Sequence, residues 1–274
     1  MRITILANQD LASCLALNYL LPSLSEHRLN VFLSAAVGGK QGSNRPQQLL
    51  DLKFLEQQLY NELLFPLIDN NPTNSAAELK TFNGLSGMTQ QPISELNDIN
   101  QGAGLARFVA TEPELVLSIR YGTILKDQAI AAPRLGVLNL HSGKLPDYRG
   151  VMASFWALLN GEETLGTTLH YISDAAIDAG AIVGATELPV SREHSYLWHV
   201  LALYADGCRL MLDAVATLAA GKILTSVPQA AGGNYYSFPS NEDMKKFESM
   251  GLRLFEPRDS MEIARRFMAP GLIV

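Results

Sequence analysis

Apolar residues in the first half of the chain come in short bursts separated by polar turns. Arg2-Ile-Thr-Ile-Leu-Ala7 opens as a strand. Asp10 is placed to cap a helix that runs through Leu15 and Leu20 and stops at Pro22. Val31 to Val37, Leu115 to Ile119 and Gly136 to Leu140 are apolar runs of strand length, as buried strands read. From about Gln47 to Leu67 the residues Leu49, Leu52, Leu55, Leu59, Leu63 and Leu67 recur at helical spacing. Gly38-Gly39 opens a polar stretch, Asp69 to Asn74 has loop composition, and Asn83 to Gly104 carries little pattern. Thr167 to Ile172 alternates, and a long helix is predicted from about Ser195 to Ala220, ended by Gly221. Tyr235, Tyr236 and Phe238 then precede a helix capped by Ser240, with Asp243 three residues on.

This alternation of strands and helices predicts an α/β fold with a doubly wound, mostly parallel sheet. Right-handed crossovers would put helices on both faces and a ligand at the C-terminal strand ends. Residues 1–224 read as the main domain, with a polar insertion over about 38–104. Residues 225–274 read as a small C-terminal appendage. The apolar face of the Gln47–Leu67 helix requires burial, either within the chain or in a homodimer. The aromatics near Tyr235 would pack beneath the last helix or rim a site.

Composition narrows the function. Of 274 residues, 47% are apolar and 18% charged, which suits a sizeable core. The net charge of -6 gives no long-range attraction to nucleic acid, and no Lys/Arg run compensates. Cys14 and Cys208 lie in apolar helical patterns and read as core thiols, not as a disulfide or metal site. His27, His194 and His199 form no metal-binding spacing. No apolar run reaches membrane-spanning length, and the chain opens directly as a strand, so a cytoplasmic protein is expected. The first strand is not followed by a glycine-rich turn, which disfavours a dinucleotide cofactor.

Candidate chemistry lies further on. Asn139 and His141 are two apart at a strand end, so their side chains share a face. Asp178 follows on a loop after the Thr167–Ile172 strand. Attack on a carbonyl carbon creates an oxyanion, which needs donors aimed at the developing charge. The Asn139 amide and a protonated His141 are two such donors. A nearby Asp178 would orient the imidazole and relay protons. An acceptor that is itself an amine requires no Ser or Cys nucleophile. By itself an Asn-x-His pair is a weak motif, common by chance and often only satisfying turn backbone.

More residues agree with it. Tyr121-Gly-Thr-Ile-Leu125 precedes Pro133-Arg-Leu-Gly136. Asn139-Leu-His141 precedes Leu145-Pro146 and Tyr148-Arg-Gly150. Trp156-Ala157, Gly161-Glu162, Gly166-Thr-Thr168 and Asp178-Ala-Gly-Ala-Ile182 follow in order. From Leu115 to Gly221 the chain resembles the folate-dependent formyltransferase family, more faintly from Met1 to Val37. The resemblance implies a Rossmann-like fold and 10-formyltetrahydrofolate as formyl donor. It implies Asn139, His141 and Asp178 as the catalytic trio. It also implies that Arg120, Tyr121, Gly122, Ile124, Leu125, Asp174, Ala175 and Ala176 enclose the folate. His170 fits a family position too, but reads first as a half-buried strand histidine.

The departures shape the acceptor. Gly143 and Lys144 stand where the family carries Ser-Leu, and with Arg149 they would face an acidic acceptor. The glycine-rich phosphate turn of glycinamide ribonucleotide formyltransferases is missing. Methionyl-tRNA formyltransferases carry a further C-terminal domain that holds tRNA, and only 225–274 remain here. The expected partner is a small-molecule amine, with no nucleic acid and no membrane. The alternatives are a 10-formyltetrahydrofolate hydrolase, a methionyl-tRNA formyltransferase-like enzyme, or a binding module on the same fold.

Overall fold

The computed structural model describes residues 1–35, 45–71 and 76–269. Strand β1 (Arg2–Asn8), helix α1 (Leu11–Leu20) and strand β2 (Arg28–Ser34) open the chain. Helix α2 (Gln47–Lys53) continues into a π-wound segment, Phe54–Leu64, and then α3 (Phe65–Asp69). Next come α4 (Phe82–Leu85), β3 (Ser94–Glu95), α5 (Gly102–Val109), β4 (Leu115–Ile119), α6 (Asp127–Ala131) and β5 (Val137–His141). The second half holds β6 (Tyr148–Gly150), α7 (Ala153–Leu159), β7 (Thr164–Ile172), β8 (Ile182–Pro189) and α8 (Tyr196–Ala219). Strand β9 (Asn234–Tyr236), α9 (Asn241–Ser249) and α10 (Pro257–Arg266) end the described fold.

Seven strands form one sheet in the order β3-β2-β1-β4-β5-β7-β8. The five strands from β3 to β5 pair in parallel, and β7 and β8 join antiparallel. The apolar runs are continuous because each strand feeds two cores. Ile3, Ile5, Leu115, Leu117, Leu138 and Leu140 face the core that includes α1 and α8. Leu6, Val116 and Val137 point to the other face, against Phe108 of α5 and Ala129 of α6. Strand period two makes that division. Asp10 caps α1 through Oδ1, which accepts from the Ser13 N–H at 2.7 Å. Among the described residues no helix is long and apolar enough to cross a membrane.

Several expectations change. Strand β2 begins at Arg28 and ends at Ser34; Val37, Gly38 and Gly39 lie outside the described residues, as do 72–74 of the predicted loop. Strand β7 begins at Thr164 and is buried over six consecutive positions instead of alternating. It lies between β5 and β8 and packs against α7 and α8. The little-patterned stretch supplies edge strand β3 and buries Leu85, Leu96 and Ile99. Of the C-terminal residues, Met244, Phe247, Ile263 and Phe267 share the larger core. Strand β9 pairs in parallel with β6, which ties them further.

The predicted leucine stripe holds only for its first turns. Leu49 and Leu52 are buried, whereas Leu63 is 51% and Leu67 65% exposed. The wider winding of Phe54–Leu64 carries the inward face to Glu56, Tyr60 and Phe65 instead. Phe65 packs edge-on to Tyr60 at 5.6 Å and against Phe267 at 5.0 Å. Phe65→Ala is expected to cost about 3–5 kcal/mol in urea unfolding. Leu67→Ala should stay within about 0.5 kcal/mol. The opposite ranking would restore an unbroken α-helical stripe.

Candidate active site

A cavity of about 630 Å³ opens across the C-terminal ends of β4 and β5. Asn139 and His141 stand at the end of β5, and both line it. Across the antiparallel register Asn139 faces His170 of β7. Its Nδ2 lies 3.0 Å from His170 Nε2. The other ring nitrogen, Nδ1, lies 2.9 Å from the Tyr171 carbonyl, which only accepts. His170 is only 1% exposed. It is a member of the cluster and not a half-buried strand residue. The pairing register places it, and residue type alone carries no signal of that.

His141 is held at both nitrogens. Nε2 lies 2.7 Å from the Tyr148 carbonyl, and Nδ1 lies 3.4 Å from Asp178 Oδ2. Both partners only accept, so a proton on each nitrogen satisfies them. Gly143 makes this seat available. A Cβ there would stand 2.6 Å from His141 Nε2 and 2.9 Å from the Tyr148 carbonyl.

Asp178 comes from the loop after β7. Parallel topology does not deliver it. The loop folds back on itself, with the Tyr171 N–H donating to the Ala181 carbonyl at 2.9 Å. Gly180 permits the fold, since a Cβ there would lie 1.8 Å from the Tyr171 oxygen. Gln229 Nε2 donates to the carbonyls of Asp178 and Gly180 at 2.9 and 2.8 Å. Asp178 Oδ2 also accepts from the Gly150 N–H at 2.9 Å, and Oδ1 lies 3.5 Å from His170 Nε2. Burial alone would push this carboxyl up. The charge on His141, the adjacent His170 ring and the Gly150 N–H outweigh burial and hold it down to about 2.

Backbone strain gathers at the cavity. Arg120, Met152 and Asp178 all line it, and all take left-handed backbone, with φ of 56°, 55° and 52°. Non-glycine residues hold such conformations only where their surroundings impose them.

Every residue expected to enclose the folate lines the cavity: Arg120, Tyr121, Gly122, Ile124, Leu125, Asp174, Ala175 and Ala176. Their manner differs. Leu125 also packs in the smaller core, while Ile124 is 52% exposed. The Tyr121 hydroxyl donates to the Leu96 carbonyl. The Arg120 guanidinium turns to Asp10 at 2.8 Å and Glu56 at 3.0 Å.

The residues expected to face the acceptor lie elsewhere. Gly143, Lys144 and Arg149 are not among the described residues lining the cavity. Lys144 Nζ is held by Glu162 at 3.0 Å and Thr164 at 3.1 Å. Arg149 donates to the Gly232 carbonyl at 3.2 Å. Lys144 is thus paired with Glu162, while Arg149 reaches backbone carbonyls and keeps its Nε buried without a hydrogen-bond partner. The insertion instead contributes Arg45, Lys53 and Glu56, and the C-terminal part contributes Tyr235 and Phe238.

Two measurements probe this geometry. The folded Asp178 carboxyl sits below its ordinary value of 3.8. Its stabilisation is therefore full above that value and is lost as pH falls toward about 2. Acid unfolding of wild type should show a loss of roughly 2 kcal/mol across that window that Asp178→Asn lacks. Gly143→Ala should destabilise by about 1–3 kcal/mol through overpacking. An unchanged melting temperature would mean that His141 has another seat.

Comparison with known proteins fits this site. Residues 90–197 match the family model described as Formyl transferase. The chain is 30% identical to the methionyl-tRNA formyltransferase of Listeria monocytogenes serotype 4a (strain HCC23) over 138 residues. That match covers 50% of this chain and 44% of the relative, so the chain spans less than half of the relative's length. Glycinamide ribonucleotide transformylase 1 from Symbiobacterium toebii shares the fold, with a TM-score of 0.56 and 17% identity. That superposition covers 83% of this chain and 93% of the other. A sugar 3N-formyl transferase, WlaRD, crystallised with dTDP and 5-N-formyl-THF, gives a TM-score of 0.54 at 16% identity. There the coverage is 88% of this chain and 70% of the other.

Proposed function

With residues 90–197 matching the Formyl transferase family model, we propose that the chain moves a formyl group from 10-formyltetrahydrofolate to a small-molecule amine. One observation carries this reading. Asp178 binds His141 at 3.4 Å while Asn139 and His141 both line one cavity. These are the groups that a tetrahedral intermediate needs.

The neutral amine nitrogen attacks the formyl carbon, and the carbonyl oxygen takes the negative charge. Asn139 uses one amide N–H on His170, which leaves its second for the oxyanion. The His141 Nε2–H exchanges the Tyr148 carbonyl for the same oxygen. Asp178 relays the proton lost by the attacking nitrogen to N10 of the folate. The carbon–N10 bond then breaks and tetrahydrofolate leaves. The 121–125 and 174–178 segments enclose the pterin. The WlaRD complex with 5-N-formyl-THF supports a folate donor. The acidic balance of -6 supports a small acceptor over a polyanionic one. The exposed Leu50, Phe54, Leu63 and Leu67 give a homodimer its contact face.

Tetrahydrofolate release from 10-formyltetrahydrofolate tests the proposal. The acceptors are amino-sugar nucleotides, hydroxylated diamino acids, glycinamide ribonucleotide and methionyl-tRNA, with a control lacking any acceptor. Release with one small amine is expected. Release with methionyl-tRNA alone would overturn the small acceptor, and release in the control alone would make the chain a hydrolase. Asn139→Ala should lower turnover about 100- to 1,000-fold. More than about a tenth of wild-type turnover would remove Asn139 from the oxyanion site.

A further inference from the structure

Two carboxylates share one guanidinium at the edge of the cavity. Arg120 Nε lies 2.8 Å from Asp10 Oδ2, and its Nη2 lies 3.0 Å from Glu56 Oε2. Asp10 is fully engaged. Its Oδ2 also accepts from Asn8 Nδ2 at 2.8 Å, and its Oδ1 holds the Ser13 N–H. Glu56 is different. It is 7% exposed and lines the cavity, and its Oε1 is buried without a hydrogen-bond partner. Lys53 and Arg45 also line the cavity, but among the described residues neither pairs with Glu56. Arg45 instead lies over the Phe238 ring at 4.0 Å. Tyr196, Tyr204 and the Cys14 thiol also lie beside the cluster, and burial keeps all three protonated.

One guanidinium neutralises one carboxylate. With Asp10 and Glu56 both ionised, the cluster carries one uncompensated negative charge. Burial, and the nearby Asp10, push the Glu56 carboxyl up to about 7 despite Arg120. A cation arriving in the cavity would relieve that imbalance.

Position says which cation. Asp10 and Arg120 follow β1 and β4, where the strand order reverses and α/β sheets take ligands. Asn139 and His141 end β5, on the other side of β4. Glu56 is anchored toward β1, so a group that pairs with it is not the nitrogen attacking beside His141. We propose that Glu56 binds a second, protonated nitrogen of the acceptor, which makes the acceptor a diamine-type molecule. This inference rests on the proposed formyl transfer and supplies its substrate class.

The test uses the full chain, with 1,4-diaminobutane as probe and 1-butanol as the uncharged control. The Glu56 carboxyl is followed by ¹³C NMR as pH is varied, and folinate binding is measured in parallel by calorimetry. The diamine should move the Glu56 midpoint from about 7 to below about 6, and butanol should leave it in place. Glu56→Gln should weaken diamine binding about 10- to 100-fold. An identical Glu56 midpoint in diamine and in butanol would overturn the proposal, whether or not the variant folds. Failure of folinate to bind would sink the formyl-donor reading instead, which separates the two.

Discussion

A charge buried without partners is among the most costly features a fold can carry. Asp178 avoids that cost by drawing on three strands. It meets His141 of β5, His170 of β7 and the Gly150 N–H of β6. Strands β5 and β7 already pair in the sheet, and the carboxylate ties both to β6. It also explains why a left-handed aspartate persists in the loop, since side-chain partners on three sides leave the backbone little choice. Arg120 does the corresponding work at the other end of the cavity. It joins the end of β4 to the cap of α1 and to the π-wound segment.

Two glycines show how closely the backbone must approach for this to happen. Gly180 lets the loop lie on Tyr171, and Gly143 lets the His141 ring lie against Tyr148. A hydroxymethyl group at position 143 would occupy the space of the His141–Tyr148 contact. The departure from the family pattern at this position therefore acts first on the seat of the His141 imidazole.

The parallel strands were legible because burial on both faces leaves an uninterrupted apolar run. The Asn139, His141 and Asp178 pattern was legible because its surroundings repeat in order. What was not legible depends on contacts distant in sequence. The π winding exchanges Leu63 and Leu67 for Tyr60 and Phe65, and a helical periodicity test assumes one pitch throughout. Strand β7 looked alternating, yet its neighbours cover both faces. The C-terminal helices lack a continuous apolar pattern, but their few large side chains complete the core beside Tyr60. Lys144 and Arg149 looked available for an acceptor, while Glu162 and the Gly232 carbonyl had already taken them. Glu56 sat unnoticed in a leucine stripe, because a polar residue there reads as a helix's wet face until the winding turns it inward.

The division of labour follows the chain. Asn139, His141, His170 and Asp178 all lie within the segment matched by the family model, residues 90–197. Glu56 and Asp10 lie outside it, on the insertion and after the first strand. Arg120 lies inside and binds both. Under the proposed reading, formyl transfer belongs to strand ends that the family shares, and acceptor choice belongs to a helix added between β2 and β4. Such an arrangement would let the insertion vary without disturbing the oxyanion donors, because Glu56 reaches the shared segment at Arg120, whereas Asn139 and His141 are held by His170, Tyr148 and Asp178. The constraint runs the other way as well. Any change that frees Arg120 from Glu56 leaves a left-handed residue at the end of β4 with one anchor fewer, so the insertion also supports that wall of the cavity.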